Sequence, residues 1–269
     1  MVSYSFLPKI ISCFYDYENI YLVTNIFNGK SLNYYRSKTL TEEQIKFVSA
    51  CIIESLTYLR KENIIHRDIM MKNIIMDKDK YFNVIDFSYS INYLNRNDKI
   101  NSMITYNMVT PPEIFNNSDF DYNSDYYRLG SIIYYLIFKK YPYMIKRQYK
   151  IKDIYINPNI IKNYSNSCID FINKLLISDY KKRIGYNDVN ELKKHTWFKG
   201  FNWTQLKKRE IISPFIFIEN DINNSYCKKK TFFFPMKLII KFRLKAKSLL
   251  FKKLIKSFNF ANSFIILKK

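Results

Sequence analysis

Residues 64–76 read IIHRDIMMKNIIM, a stretch that contains His-Arg-Asp and an asparagine five residues after the aspartate. A second short segment, YFNVIDF at 81–87, contains a further acidic residue, Asp86. The apolar residues in these segments predict two short strands, at 73–76 and 81–87, separated by a DKDK turn. Asp68 then precedes these short strands, and Asn73 and Asp86 lie near their ends.

The elements around this stretch follow from common sequence patterns. Residues 10–27, rich in Ile, Val, Tyr and Phe around a polar turn, predict a two-stranded hairpin. Thr41 and Gln44 form a capping-box pattern that begins an amphipathic helix. The segment 126–138 is apolar nearly all round and predicts a central buried helix, while 168–177 predicts an amphipathic helix.

Composition excludes several kinds of site. The chain has 269 residues and a formal net charge of +21, and residues 228–269 hold thirteen Lys or Arg with no Asp or Glu. Only four glycines occur and no G-x-G, so these residues contain no glycine-rich phosphate-binding loop. Four dispersed cysteines and two histidines argue against a zinc site or a disulfide framework. No apolar run is long enough for a transmembrane segment, and the N-terminus is not typical of a signal peptide.

Five motifs, taken in order, resemble the signature set of protein kinases. They are HRDIMMKN, VIDFS, PPE, SDYYRLG and DYKKRIG. NELKKHTWFKGFNW (190–203) and SPFIF (213–217) resemble the last helices and early tail of the AGC group, especially cyclic-AMP-dependent protein kinase. The resemblance implies an α+β, protein-kinase-like fold, with a mainly α-helical large lobe and only a residual two-strand part of the small lobe.

The same resemblance predicts the domain boundaries. Residues 1–27 correspond to residual small-lobe strands and the hinge, 28–203 to the large lobe, 204–227 to the start of an AGC-like tail, and 228–269 to a basic amphipathic tail. The family's glycine-rich loop, its third-strand Lys and the helix Glu that orients this Lys would all precede Met1.

The resemblance also implies roles in phosphoryl transfer from ATP. Asp68 corresponds to the base that accepts the substrate hydroxyl proton, and Asn73 and Asp86 to the two Mg²⁺ ligands. Two residues after the base, where Ser/Thr kinases carry a phosphate-contacting Lys, this chain has Met70. Lys72 corresponds to an Arg with a similar role in receptor-type tyrosine kinases. It is either a replacement for the missing Lys or an ordinary surface lysine.

For the nucleotide base, the resemblance implies a pocket that lacks its roof. Thr24 is the gatekeeper, Ile26 and Phe27 belong to the hinge, and Ile75 forms the floor. Adenine would therefore stack on one face only. Ser88 replaces the glycine of the family's Asp-Phe-Gly motif, and a side chain there resists backbone dihedrals that glycine allows.

Five further positions correspond to regulatory and structural residues of the family. Arg67 would bind a phosphate on Ser102, although Ser102 is alternatively an ordinary polar loop residue. Glu113 and Arg183 correspond to a buried ion pair between the activation segment and a late helix. Asp125 corresponds to the helix residue that caps the backbone of the catalytic loop.

The basic tail has a pattern of its own. Within 236–258, Lys residues recur close to helical spacing, with apolar residues on other faces. This pattern predicts a basic amphipathic helix for an anionic membrane surface or a calmodulin-like partner. A loosely packed tail helix and sequence from a mispredicted exon are the alternatives. Nucleic-acid binding rests on charge alone and ranks lower.

Two functions from different classes follow. The first is a cytoplasmic serine/threonine-protein kinase that uses ATP and Mg²⁺ on a protein substrate, peripheral at a membrane if the tail binds there. The kinase activity of these 269 residues alone is expected to be impaired, because they lack the phosphate-binding Lys and the glycine-rich loop. The second is a catalytically inactive pseudokinase that acts as a scaffold. The three retained oxygen ligands favour the first function, and Met70 and Ser88 favour the second.

Overall fold

The computed structural model describes residues 4–15, 19–95, 108–115, 121–142, 154–158, 162–216, 237–243 and 264–266. Eight strands and six α-helices lie in these ranges. A small sheet is formed by segments from both ends of the chain. The middle of the chain supplies the helices and two short strand pairs.

The small sheet is built around the predicted hairpin. β1 (Ile10–Tyr15) pairs antiparallel with β2 (Asn19–Asn25), with an irregularity in register between Ile10 and Ser12. Ile, Val, Phe and Tyr dominate both strands, as expected for residues that favour pleated backbone. The predicted hairpin is confirmed.

Two later segments complete this sheet. β7 (Lys237–Arg243) lies antiparallel along the other edge of β2, with Lys237 opposite Asn25, and β8 (Phe264–Ile266) lies parallel to β1. The strand order is therefore β7-β2-β1-β8. An edge strand has backbone donors and acceptors without partners, and an antiparallel ladder satisfies them.

One expectation from the sequence is confirmed with an addition, and one is wrong. The two expected strands are present as β1 and β2, and β7 and β8 extend their sheet to four strands. The helix predicted for 236–258 is wrong over Lys237–Arg243, which form β7, and 244–258 lies outside the described residues. The helical spacing of the lysines was outweighed by pairing to β2, a contact that local periodicity does not contain.

The predicted long helices are confirmed, and two of them, α3 and α4, begin earlier than expected. α1 (Glu42–Lys61) begins with the Thr41–Gln44 capping box. α3 (Tyr122–Phe138) begins one turn before the predicted residue 126, because Asp121 and Ser124 form a second capping box. α4 (Asn166–Leu175) is capped by Ser165.

Helix α3 lies at the centre of the helical region and packs against α1 and α4. Almost all of its side chains are buried, as its apolar sequence predicts. Gly130 permits the approach of α4, because a Cβ at this position would meet Leu175 and Leu176. The remaining helices are α2 (Pro112–Phe115), α5 (Asn190–Lys194) and α6 (Trp203–Lys208).

Two short strand pairs position the predicted catalytic residues. β3 (Ile64–Ile65) pairs with β6 (Ile91–Asn92), and β4 (Ile74–Met76) pairs antiparallel with β5 (Phe82–Val84). The second pair confirms the two strands predicted from the sequence.

Segments from both predicted end regions pack onto the helical core. The Phe6 ring is fully buried, and the Phe6 carbonyl accepts hydrogen bonds from Val84 and Ser55. After α6, Phe215 is buried against Tyr35 and Phe82, with ring centroids 5.3 and 4.9 Å apart. The predicted boundaries at 27 and 203 stay predictions.

Candidate active site

The catalytic loop is held by a single carboxylate of helix α3. Asp125 accepts the backbone N–H of His66 at 2.8 Å on one oxygen and that of Arg67 at 2.9 Å on the other. Asp125 is almost completely buried, and Arg67 has a left-handed backbone, with φ 68°. These two bonds fix a conformation that a non-glycine residue adopts only when its surroundings compensate the strain.

Asp68 and Asn73 are in direct contact. The Asn73 amide Nδ2 donates to Asp68 Oδ2 at 2.7 Å and to the Asp68 backbone carbonyl at 2.9 Å. A one-turn 3₁₀ segment, Met71–Asn73, makes this possible because it turns the chain back toward Asp68. Both side chains are buried.

Asp86 reaches the same place through the β4–β5 pair. The backbone N–H of Ile85 donates to the carbonyl of Asn73 at 2.9 Å, so Asp86 follows directly after a residue bonded to Asn73. Burial raises the pKa of Asp68, and the negative charge of Asp86 adds to this effect. The structure therefore brings Asp68, Asn73 and Asp86 together, as the sequence predicts.

The groups around Asp68, the predicted base, shift its pKa in opposite directions. Burial raises the pKa of Asp68, while the hydrogen bond from Asn73 and the positive charges of Arg128 and Lys72 lower it. Lys72 is exposed yet close enough to Asp68 for its charge to act. Both alternatives for Lys72, a replacement for the Lys absent at Met70 and an ordinary surface lysine, stay predictions.

His66 is a neutral residue within the loop. Its Nε2 donates to the carbonyl of Ile85 at 3.1 Å, and its Nδ1 accepts the backbone N–H of Asp68 at 3.3 Å. Burial lowers its pKa to about 4, although the bond to Ile85 and the charge of Asp86 raise it. A second proton on Nδ1 would oppose the Asp68 N–H, so the loop geometry requires the neutral ring.

Arg128 is the residue that sequence reasoning missed. It lies on α3 one turn after Asp125 and is 2% exposed. Burial lowers the pKa of Arg128, and the negative charges of Asp125 and Asp68 raise it. An arginine within the apolar segment 126–138 was the available signal, since a buried charge needs a neighbouring charge of opposite sign.

The predicted ion pair between Glu113 and Arg183 is present and buried. Arg183 Nη1 and Nη2 donate to the two oxygens of Glu113 at 2.8 and 2.9 Å. The guanidinium also donates to the carbonyls of Ile177 and Asn123. This bidentate pair connects α2 to the segment that precedes α5.

The predicted nucleotide-binding positions lie at the end of β2 and in β4. The Thr24 side chain is buried, and Ile26, Phe27 and Ile75 are half-buried. Gly29 brings this segment onto β4, because its N–H donates to the Met76 carbonyl at 3.0 Å and a Cβ would collide with that carbonyl.

The donor set suits a hard divalent cation. Within the described ranges, Asn73 Oδ1 and Asp86 Oδ2 accept no hydrogen bond, so each leaves one oxygen for a cation. No group of three or more His, Cys, Asp or Glu in the described part of the chain could hold a metal ion. Mg²⁺ bound by Asn73 and Asp86 would therefore need the phosphate oxygens of a nucleotide as further ligands.

Some predicted residues fall outside this description. Ser102 lies in 96–107, which the structure does not describe, so its pairing with Arg67 stays a prediction. No helix in the described ranges is both long enough and apolar enough to cross a bilayer.

Comparison with known proteins agrees with this geometry. The family model described as protein kinase domain matches residues 1–198. The chain is 30% identical over 231 residues to serine/threonine-protein kinase sgk-1 of Caenorhabditis elegans, covering 84% of this chain and 50% of that protein. It is 28% identical over 218 residues to Sgk1 of Rattus norvegicus, covering 80% and 51% respectively.

A plant relative gives the same result. Serine/threonine-protein kinase AtPK1/AtPK6 of Arabidopsis thaliana is 27% identical over 219 residues, covering 77% of this chain and 46% of that protein. The chain thus spans about half the length of the curated relatives it matches. The Sgk1 relatives are consistent with the resemblance to the AGC group. The chain belongs to the protein kinase domain family.

Proposed function

We propose that this chain is a serine/threonine-protein kinase domain that transfers a phosphoryl group from ATP to a protein hydroxyl. The observation that carries the proposal is the Asn73–Asp68 hydrogen bond of 2.7 Å, with Asp86 placed beside it by the Ile85–Asn73 backbone bond. Phosphoryl transfer depends mainly on positioning the reactants and on neutralising the negative charge spread over the phosphates. In this cluster Asp68 would position the substrate hydroxyl, and Asn73 and Asp86 would hold the neutralising cation.

In this proposal Asp68 is the base. Asn73 fixes Asp68 Oδ2, and Oδ1 accepts no hydrogen bond from the described residues, which leaves it for the substrate hydroxyl proton. Asn73 and Asp86 hold the magnesium ion, and Mg·ATP when bound supplies the phosphoryl group and neutralises charge on the phosphates. Lys72 adds positive charge beside Asp68. The pocket for adenine is formed by Thr24, Ile26, Phe27 and Ile75.

A second candidate is a kinase-like scaffold without catalysis. It is favoured by Met70 in place of the phosphate-contacting Lys and by Ser88 in place of the glycine of the Asp-Phe-Gly motif. Electrostatic clamping of the phosphates supplies much of the rate in this chemistry, so its loss reduces turnover more than it reduces folding.

One pair of measurements separates the two functions. Mg·ATP at a hundred times its Kd should stabilise the protein by about 2.7 kcal/mol in a thermal-shift titration, and Asp86→Asn should abolish the shift. Transfer of ³²P from ATP to a protein substrate should fall about 10²–10⁴-fold in Asp68→Asn. Asp79→Asn, an exposed acid in the neighbouring turn, is the matched control. A shift without transfer supports the scaffold, and no shift in the unsubstituted chain refutes nucleotide binding.

We also propose that the basic region 236–258 binds an anionic membrane surface, or alternatively a calmodulin-like partner, in a cytoplasmic protein. Its charge supports this, because basic segments bind anionic lipids through screened electrostatic attraction. Co-sedimentation with phosphatidylserine vesicles at low and high salt tests the membrane. Binding that is absent even at low salt removes it.

A further inference from the structure

A group of basic side chains lies next to the catalytic loop. Its position is set by backbone bonding, because the Lys30 carbonyl accepts the N–H of Met76 at 3.0 Å in β4, the strand that directly follows the loop. The 3₁₀ turn Leu32–Tyr35 then packs against the 3₁₀ turn Met71–Asn73 of the loop itself. We call four side chains of this surface the cationic cluster: Lys30, Arg36, Lys38 and Lys139.

Tyrosine side chains position the cations of this cluster. Lys38 Nζ lies 4.0 Å from the centroid of the Tyr34 ring, and Lys30 Nζ lies 5.5 Å from the same centroid. Arg36 Nε donates to the hydroxyl of Tyr135, a buried residue of α3, at 2.6 Å. Cation–π attraction and this hydrogen bond restrict the side chains, so part of the ordering that a ligand would require is already present.

The positive charge of the cluster has no acidic counterpart on this surface. Residues 28–41 and 134–142 contain no Asp or Glu, and none of the four cations forms a salt bridge within the described ranges. The Lys139 ammonium instead donates to the Lys38 carbonyl, which joins the end of α3 to this surface. Lys72 adds a further exposed positive charge close to the predicted base. A surface with charges of one sign raises the local concentration of ligands of the opposite sign.

We propose that the cationic cluster binds acidic residues of the protein substrate, so that this chain selects hydroxyls flanked by Asp or Glu. The inference rests on the proposed function, in which Asp68 accepts the proton of the substrate hydroxyl. An extended peptide advances ~3.3 Å per residue, so residues a few positions from the hydroxyl pass over the surface that adjoins the loop. This location favours a peptide over a nucleic acid, which a basic surface would also attract.

The first measurement needs neither nucleotide nor catalysis. Two fluorescein-labelled peptides carry Ala in place of the acceptor Ser and differ only in having Glu or Gln at the flanking positions. Fluorescence anisotropy with the full chain should show about tenfold tighter binding of the Glu peptide at low salt, and a smaller advantage at high salt. Lys30→Gln/Lys38→Gln should weaken binding of the Glu peptide about fivefold, and binding of the Gln peptide by less.

A second pair of lysines provides the matched control. Lys181 and Lys182 are also exposed, and Lys181 Nζ lies 5.9 Å from the centroid of the Tyr180 ring. Lys181→Gln/Lys182→Gln removes the same amount of charge at a distance in the chain from the catalytic loop, and should leave the affinity for the Glu peptide unchanged. If this control weakens binding equally, net charge rather than the cluster is responsible and the inference is overturned. The inference is also overturned if single-stranded DNA of the same charge binds as tightly as the Glu peptide and loses as much affinity in Lys30→Gln/Lys38→Gln.

The second measurement follows transfer of ³²P from ATP to the same peptides with Ser restored. In Lys30→Gln/Lys38→Gln the KM of the Glu peptide should rise about fivefold more than that of the Gln peptide. Binding of the Glu peptide without transfer to either peptide refutes the proposed function and leaves the cluster only as a binding surface. Transfer to both peptides without preference for Glu overturns this inference and leaves the proposed function intact. Absence of Glu-peptide binding overturns the inference whatever the transfer assay shows.

Discussion

We predict that exchanging either of two buried groups beneath the catalytic loop changes the pH dependence of stability, and that the two changes have opposite sign. The groups are His66 and Asp125, which are in contact through the His66 N–H. Burial lowers the pKa of His66 from 6.5 to about 4. Burial raises the pKa of Asp125 from 3.8 to about 6, although the hydrogen bonds from His66 and Arg67 and the charge of Arg128 oppose it.

The sign of each contribution follows from proton binding. Between pH 4 and 6.5 the unfolded chain protonates His66 and the folded chain does not, so stability from His66 rises with pH. Between pH 3.8 and 6 the folded chain keeps the proton on Asp125 and the unfolded chain loses it, so stability from Asp125 falls with pH. At about 1.4 kcal/mol per pH unit, each contribution amounts to roughly 3 kcal/mol. In the native protein the two nearly cancel.

Single substitutions remove this cancellation. In Asp125→Asn, the free energy of unfolding relative to the unsubstituted protein should rise by roughly 3 kcal/mol from pH 4 to 6. In His66→Gln, whose amide can still donate to the Ile85 carbonyl, the relative stability should fall by a similar amount from pH 4 to 6.5. Urea unfolding at half-unit steps of pH measures both, and subtracting the curves removes groups that all variants share.

His195, the second histidine, provides the control. Burial and the charge of Lys174 lower its pKa, but Asp170 lies 2.9 Å from its Nε2 and favours the protonated ring. His195→Gln should therefore change the pH dependence in the same direction as His66→Gln, and by less. Difference curves for Asp125→Asn and His66→Gln that are flat, or that slope in the same direction, would refute the opposed-charge account of the loop.

Three further predictions address other parts of the molecule. Arg183→Met leaves Glu113 buried without its ion-pair partner and should lower the free energy of unfolding by ~3–5 kcal/mol. The melting temperature should then fall by roughly 6–20 °C. Lys174→Met removes an exposed ion pair with Asp170 and should cost under about 1 kcal/mol. Arg128→Met should raise the Asp68 carboxyl titration midpoint in ¹³C NMR, because a nearby positive charge that lowers the pKa is lost. Deletion of 237–269 should speed hydrogen exchange of β2 amides about tenfold and leave α3 unchanged, since an isolated hairpin is marginally stable.

The sequence predicted the elements whose signals are local. The capping box at Thr41, the apolar helix that became α3, and the His-Arg-Asp loop with Asn73 each carry their pattern within a few residues. The early start of α3 was also readable, because Asp121 and Ser124 have capping-box spacing. The apolar run alone predicts a later start, because it begins only at residue 126.

The charges beneath the loop show a second limit of sequence reading. Motif spacing places Asp68, Asn73 and Asp86 together, but nothing in that spacing says that Arg128 faces the same acids. The acids near Arg128 are set by the position of α3 beside the catalytic loop, which Asp125 holds through its two hydrogen bonds. A buried charge requires neighbouring groups that compensate it, and here those groups are distant in sequence.

The tail strand was unpredictable for a related physical reason. KLIIKFR has lysines four residues apart, which suits a helix, and a continuous apolar core, which suits a strand. A helix satisfies its own backbone but leaves the edge of β2 unpaired, whereas a strand at 237–243 satisfies both backbones at once. The outcome was thus decided by β2, far away in the chain. Because a helix through 236–258 and a strand at 237–243 use the same backbone, membrane binding by such a helix would have to compete with pairing to β2.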